Sequence, residues 1–180
     1  ALDTKLSTVL NRANKDSMNL YAECLCKRLG HEVSGESGSW ANGTAAVGAF
    51  LKSIGVLETH VHLEDGSGLS RENTVSAGVI VRVLSHNFLG KNREVFVASL
   101  AVPGEEGTFK KRFNNGLKTR VFGKSGYVNS VSALAGYLKA RDDHWYAFSI
   151  LMNNLPPGTN DVAKNLQEKI VAAVDENAHQ

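Results

Sequence analysis

The sequence predicts an α+β fold with an antiparallel sheet, and three observations carry the prediction. Apolar residues recur at helical spacing in successive segments before residue 90. Three runs of strand character then follow one another between residues 120 and 152, and one amphipathic segment closes the chain. Helices grouped together and strands grouped together argue against an alternating, parallel architecture. The 180 residues, 42% hydrophobic and 21% charged, are read as one domain, 1–180, long enough to bury a core without disulfides or a structural metal.

The elements are expected in this order. Leu6, Val9, Leu10 and Ala13 mark a helix over 2–14, and the turn formers Asn14 to Asn19 end it. Leu20 to Leu29 resumes helical spacing and is expected to stop at Gly30. Residues 34–43 read as a loop, Thr44 to Ile54 as a helix ended by Gly55, and His60 to Leu63 as a short strand. Asp65-Gly66-Ser67-Gly68 is turn chemistry, Ser70 to Asn73 looks like a helix start, and Val75 to Leu84 continues as helix. Val95 to Ala98 fits strand or short helix. Arg120 to Val128, Val131 to Lys139 and Trp145 to Met152 read as consecutive strands. Asn160 to Val174 is a closing helix with Val162, Leu166, Ile170, Ala173 and Val174 on one side.

Composition excludes several classes. No apolar run approaches the ~20 residues of a membrane span, so no integral membrane segment is expected. A net charge of +2 does not by itself imply nucleic acid, and the basic stretch 109–124 lacks stacking aromatics, so it reads as a solvated face. Cys24 and Cys26 are two apart on a helix, which disfavours both a disulfide and a metal pair. His60 and His62 share a strand face with Glu64 and Asp65 nearby, but two such ligands are more often merely exposed, and no metal is assigned.

Two short motifs carry chemistry. Ser-x-Asn occurs at Ser17-Met18-Asn19 and Ser85-His86-Asn87, against about one match expected by chance. Lys-Ser/Thr-Gly is rarer, with roughly 0.15 chance matches expected, and it occurs at Lys124-Ser125-Gly126 on an expected strand. With Ser-x-x-Lys, these are the motifs of acyl-serine enzymes whose base is lysine. Taken alone, Ser17 and Asn19 also suit the capping of the helix near Leu20, and Lys124 suits an exposed strand position.

The flanks are more specific. Asn14 to Glu23, Asp65-Gly66-Ser67-Gly68-Leu69-Ser70-Arg71, Ser99-Leu100 with Gly107-Thr108 and Arg112, and Gly123 to Gly126 followed by Val131 to Tyr137 occur in one order. This arrangement resembles the class C low-molecular-mass penicillin-binding proteins, the D-Ala-D-Ala carboxypeptidase/endopeptidase family also called peptidase family S13. The resemblance covers roughly residues 5–155 and marks the Ser85 match as the chance one. It implies the later part of a β-lactamase/transpeptidase-like domain, with the closing helix packed on the sheet. It also implies no cofactor, an extracytoplasmic or periplasmic location, and peptidoglycan stem peptides and β-lactams as ligands.

By the same resemblance, Ser17 would relay a proton to the departing D-alanine and Asn19 would hold the substrate amide. Lys124 and Ser125 would bind the terminal carboxylate, Gly126 would let substrate approach, and the Tyr127 N–H would form half of an oxyanion hole. Asp65 to Arg71 is read as structural. No serine in the chain is followed three places later by lysine. In the family that motif precedes the Ser-x-Asn block, so an N-terminal segment of the same protein is expected to supply it. The alternatives are a β-lactamase-like hydrolase, which shares the motifs, and a non-catalytic peptidoglycan-binding or scaffold domain.

Overall fold

The computed structural model describes residues 4–57, 59, 61–113 and 116–178. Helices α1 (Leu6–Asn14), α2 (Asn19–Ser34) and α3 (Trp40–Ser53) come first. Two short strands, β1 (Val61–His62) and β2 (Thr74–Val75), form a small antiparallel ladder. Then come α4 (Ala77–Leu89) and α5 (Arg93–Ser99), followed by β3 (Val121–Val128), β4 (Val131–Lys139), β5 (Trp145–Met152) and α6 (Asn160–Asn177). The larger sheet has the order β3-β4-β5 with both pairs antiparallel. The fold is α+β with helices before the sheet and one after it, as the sequence predicts.

Helix boundaries depart from expectation where tertiary contact outweighs local signals. Gly30 does not end α2; the helix continues to Ser34 and ends at Gly35, whose φ is 75°. Gly30 is instead a crossing point, where a Cβ would lie 2.1 Å from Asn42 Oδ1 and 2.6 Å from the Gly43 nitrogen. Gly43 is equally confined, with its hypothetical Cβ 2.5 Å from the Cys26 carbonyl oxygen. Two glycines thus let α2 and α3 approach closely. α3 begins at Trp40, inside the expected loop, because Ser39 and Asn42 make a reciprocal capping box. Ser70 to Asn73 is a turn, not a helix start; Ser76 accepts from the Val79 N–H, and α4 starts there. Val95 to Ala98 lies in α5. Of the expected strand 60–63, Val61 and His62 form β1, and His60 lies outside the described residues.

The period-two alternation of β4 divides the core. Leu134 and Leu138 pack with Val121, Phe109, Phe113 and Val171 of α6 on one face. Tyr137 packs with Leu84 of α4 and Leu100 on the other, and its hydroxyl donates to the Leu84 carbonyl at 2.7 Å.

α6 does pack on the sheet, but not through its apolar side. Its buried stripe is Ala163, Gln167, Val171 and Asp175, whereas Val162, Leu166, Ile170 and Val174 stay 67%, 49%, 40% and 38% exposed. Buried polar groups must be paired, and the sheet side presents Ser132, Arg112 and Arg120. Gln167 donates to Ser132 Oγ at 3.2 Å and accepts from Arg112 at 3.1 Å, while Asp175 takes both Nη atoms of Arg120. Those demands orient the helix. Among the described residues no helix is long and apolar enough to cross a membrane.

Candidate active site

The site begins at the break between α1 and α2. Ser17 adopts the left-handed region, φ 55°, at the turn between the two helices, and its hydroxyl meets Lys124 of β3. It does not cap α2: the N-cap is Met18, with no side-chain cap bond. The turn is braced from behind. Asn14 Nδ2 donates to the buried Ser99 Oγ at 2.8 Å, and the Thr108 N–H donates to the Lys15 carbonyl at 3.0 Å. Gly107, with φ 117°, presses on the same carbonyl, and a Cβ there would sit 2.8 Å from it.

The second wall is β3, an edge strand. Its outer edge makes an isolated bridge in which Gly123 exchanges both backbone bonds with Ala101, each at 2.9 Å. Alternate residues of a strand share an edge, so the Ser125 and Tyr127 N–H groups point outward as Gly123 does. Lys124 Nζ donates to Ser17 Oγ at 2.6 Å and also to the Ser125 carbonyl. Burial pushes the Lys124 ammonium down to about 8, because a desolvated cation is disfavoured.

The third wall is the turn after β1. Asp65 closes it on itself, accepting from the Gly68 N–H at 2.7 Å, the Ser70 N–H at 2.6 Å and Asn73 Nδ2 at 2.9 Å. Burial raises the Asp65 carboxyl, but these donors outweigh it and hold the group below its ordinary value. Asp65 thus spends its carboxylate on the turn's own backbone and on Asn73. Ser67, Gly68 and Leu69, which the sequence reading left without a role, line the cleft.

The cleft between these walls, which runs on along the N-terminal half of α6 (Asn160, Lys164, Glu168), has a volume of about 1230 Å³. Ser17, Asn19, Lys124, Ser125, Gly126 and Tyr127, the six residues singled out from sequence, all line it, and Thr108 joins them. Ser85 and Asn87 lie in α4 away from the cleft, and Asn87 donates to the Val83 carbonyl instead. The basic stretch is largely paired: Lys110 with Glu106, Arg112 with Glu168, Arg120 with Asp175. His62 pairs with Glu64 at 2.7 Å, and among the described residues no three His, Cys, Asp or Glu side chains gather as a metal site.

A family model described as D-Ala-D-Ala carboxypeptidase 3 (S13) matches residues 2–177. The chain belongs to that family. It is 36% identical over 155 residues to the D-alanyl-D-alanine carboxypeptidase of Actinomadura sp. (strain R39), a match covering 83% of this chain and 28% of that protein. The chain therefore spans little more than a quarter of that relative's length. Its fold is similar to penicillin-binding protein 4 (dacB) of Haemophilus influenzae, solved with a β-lactam, at a TM-score of 0.81 and 24% identity over 91% of this chain and 41% of that one. The TLA-1 extended-spectrum β-lactamase shares the fold at a TM-score of 0.70 and 16% identity, over 97% of this chain and 64% of that one. The fold is thus β-lactamase-like, and the chain is a partial class C penicillin-binding protein.

Proposed function

We propose that the complete protein is a serine-type D-Ala-D-Ala carboxypeptidase, with endopeptidase activity as an extension, acting on peptidoglycan stem peptides outside the cytoplasm through an acyl-enzyme. The observation that carries this reading is the Lys124–Ser17 hydrogen bond of 2.6 Å, which joins two motifs in one cleft. In the proposal, the later part of one catalytic domain is formed by residues 1–180, and an N-terminal segment of the same protein contributes Ser-x-x-Lys.

In this scheme Lys124 and Ser125 hold the terminal carboxylate, since a cation plus a hydroxyl gives charge-assisted hydrogen bonds in a partly dry cleft. Asn19 orients the substrate amide through an acceptor oxygen and a donor nitrogen. The nucleophile attacks the D-Ala-D-Ala carbonyl, and the outward Tyr127 N–H stabilises the oxyanion together with the nucleophile's own N–H. Ser17 Oγ passes a proton to the departing D-alanine amine, accepting one as it donates another. β-Lactams, one of which is bound in the penicillin-binding protein 4 structure of the same fold, would acylate the same nucleophile.

The test is Lys124→Ala in the full-length enzyme on D-Ala-D-Ala peptides with free and with amidated C-termini. A charge-assisted bond worth ~1.5–3 kcal/mol corresponds to a kcat/KM loss of roughly ten- to a hundredfold on the free carboxylate and little on the amide. Equal losses on both substrates would refute the carboxylate assignment.

A further inference from the structure

The wall of the cleft that faces β3 belongs to neither a helix nor a ladder: Ser67 to Leu69 sit in the loop joining β1 to β2. Asp65 makes the loop rigid within itself, but rigidity alone does not fix where it stands. The tie to α2 is Glu23. Its Oε2 accepts from the Gly66 N–H and its Oε1 from the Ser67 N–H, both at 3.1 Å, and Oε2 also accepts from Trp40 Nε1 at 2.7 Å. Gly66 lies flat on the same stretch of helix, where a Cβ would come within 2.5 Å of Cys26 Cβ and 2.7 Å of the Ala22 carbonyl oxygen. Glu23 is four residues after Asn19, on the same face of α2.

We propose that Glu23 is a positioning residue of the cleft: through the Gly66 and Ser67 amides its carboxylate fixes the Ser67–Leu69 wall relative to Asn19 one helical turn away, and so sets the gap between that wall and β3. A carboxylate suits the task because two oxygens meet three N–H donors; glutamine offers one acceptor and turns an amine toward the rest. Burial raises the Glu23 carboxyl, and the bonds from Ser67, Trp40 and the Gly66 amide more than offset it, leaving the group below its ordinary value and ionised at neutral pH. The consequence for acylation rests on the acyl-enzyme reading above; the clamp does not.

The test uses full-length protein carrying Glu23→Gln, Trp40→Phe or Glu32→Gln, with two readouts: amide hydrogen exchange across residues 64–70 and the second-order rate of acylation by a fluorescent penicillin. Glu23→Gln is expected to speed exchange at Gly66 and Ser67 by roughly tenfold, one lost hydrogen bond, and to slow acylation by a similar factor, through weaker binding rather than a lower limiting rate. Trp40→Phe keeps both amide bonds and is expected to leave acylation near wild type even if the protein melts earlier. Glu32→Gln, on the exposed side of α2 where Glu32 pairs with Arg28, is the unchanged control. Unchanged exchange in Glu23→Gln overturns the clamp. Faster exchange with unchanged acylation, or an equal acylation loss in Trp40→Phe, overturns the positioning role. A wild type that is not acylated refutes the proposed function, while the exchange readout still decides the clamp.

Discussion

Lys124 Nζ lies 2.6 Å from Ser17 Oγ although 107 residues separate them in sequence. Among the described residues its partners are this hydroxyl and the Ser125 carbonyl, and neither is anionic. A desolvated ammonium without a counter-charge is costly to the folded chain. The same group offers an incoming carboxylate a charge pairing that no anionic side chain among the described residues already supplies.

Ser17 carries both a strained backbone and a hydroxyl, and two variants separate them. Ser17→Gly removes the hydroxyl but suits φ 55°, whereas Ser17→Ala removes it and keeps the strain. Ser17→Gly is therefore expected to be more stable than Ser17→Ala by about 1 kcal/mol, read from urea midpoints. In the full-length enzyme both should lose turnover alike, by a factor on the order of a hundred. Activity that follows stability instead of the hydroxyl would refute the relay.

The fold class and the three strands were legible because they rest on period and order; Ser17, Asn19, Lys124, Ser125 and Gly126 stand in two short motifs, and Tyr127 came only from the family resemblance. What escaped the sequence depended on who meets whom. Gly30 carries the signal of a helix end, and only the arrival of Asn42 makes it a crossing point. The side of α6 richest in Val, Leu and Ile predicts the buried side, yet Ser132 of β4 and Arg112 and Arg120 from the loop before β3 claim Gln167, Glu168 and Asp175. Glu23 sits in plain view four residues after Asn19, but its partners are backbone amides more than 40 residues away, at Gly66 and Ser67, which no spacing rule reveals.

Gly30→Ala and Gly48→Ala are expected to move stability in opposite directions. Both sites are helical, so propensity alone favours alanine by up to about 1 kcal/mol. At Gly48 nothing lies within 4 Å of the new Cβ, and the gain should appear. At Gly30 the Cβ meets Asn42 Oδ1, which accepts from the Ser39 N–H in the α3 capping box. Displacing it should cost about 2 kcal/mol net, by overpacking and a weakened cap. Thermal melts of the two variants decide this, and a stabilised Gly30→Ala would contradict the close crossing of α2 and α3.

Asp175, 1% exposed, binds Arg120 through both oxygens and the Arg141 N–H and Nε at 3.1 and 2.9 Å. The hydrogen bond from Arg120, more than any other cause, holds its carboxyl below the ordinary value of 3.8. A depressed carboxylate contributes stability above its unfolded value and loses it as pH falls through the folded one. Asp175→Asn should therefore cost about 3 kcal/mol near neutral pH, the scale of breaking a buried pair. The gap to wild type should narrow below pH 3.8. Parallel denaturation curves with the same gap in acid would show that the charge is not what matters.

Lys124 gives a linkage of the same sign, but there the shift is a penalty at neutral pH instead of a contribution. Its ammonium titrates at about 8 in the fold against 10.5 unfolded, so between those values the unfolded chain holds more protons. Stability then rises with pH across that window, and the full penalty applies below it. The shift corresponds to roughly 3 kcal/mol, reduced in a variant by the loss of the bond to Ser17. Lys124→Met, which keeps the length without the charge, should thus be more stable than wild type at pH 7, with the advantage fading toward pH 10.5. A carboxylate ligand supplies the missing counter-charge, so it must raise the Lys124 value on binding, and its affinity for the full-length enzyme must fall as pH rises above about 8. Titration calorimetry with a D-Ala-D-Ala peptide at several pH values measures that limb. An affinity flat through pH 8 to 10, beside a Lys124→Met variant less stable than wild type at every pH, would mean that the ammonium is neither desolvated nor waiting for an anion.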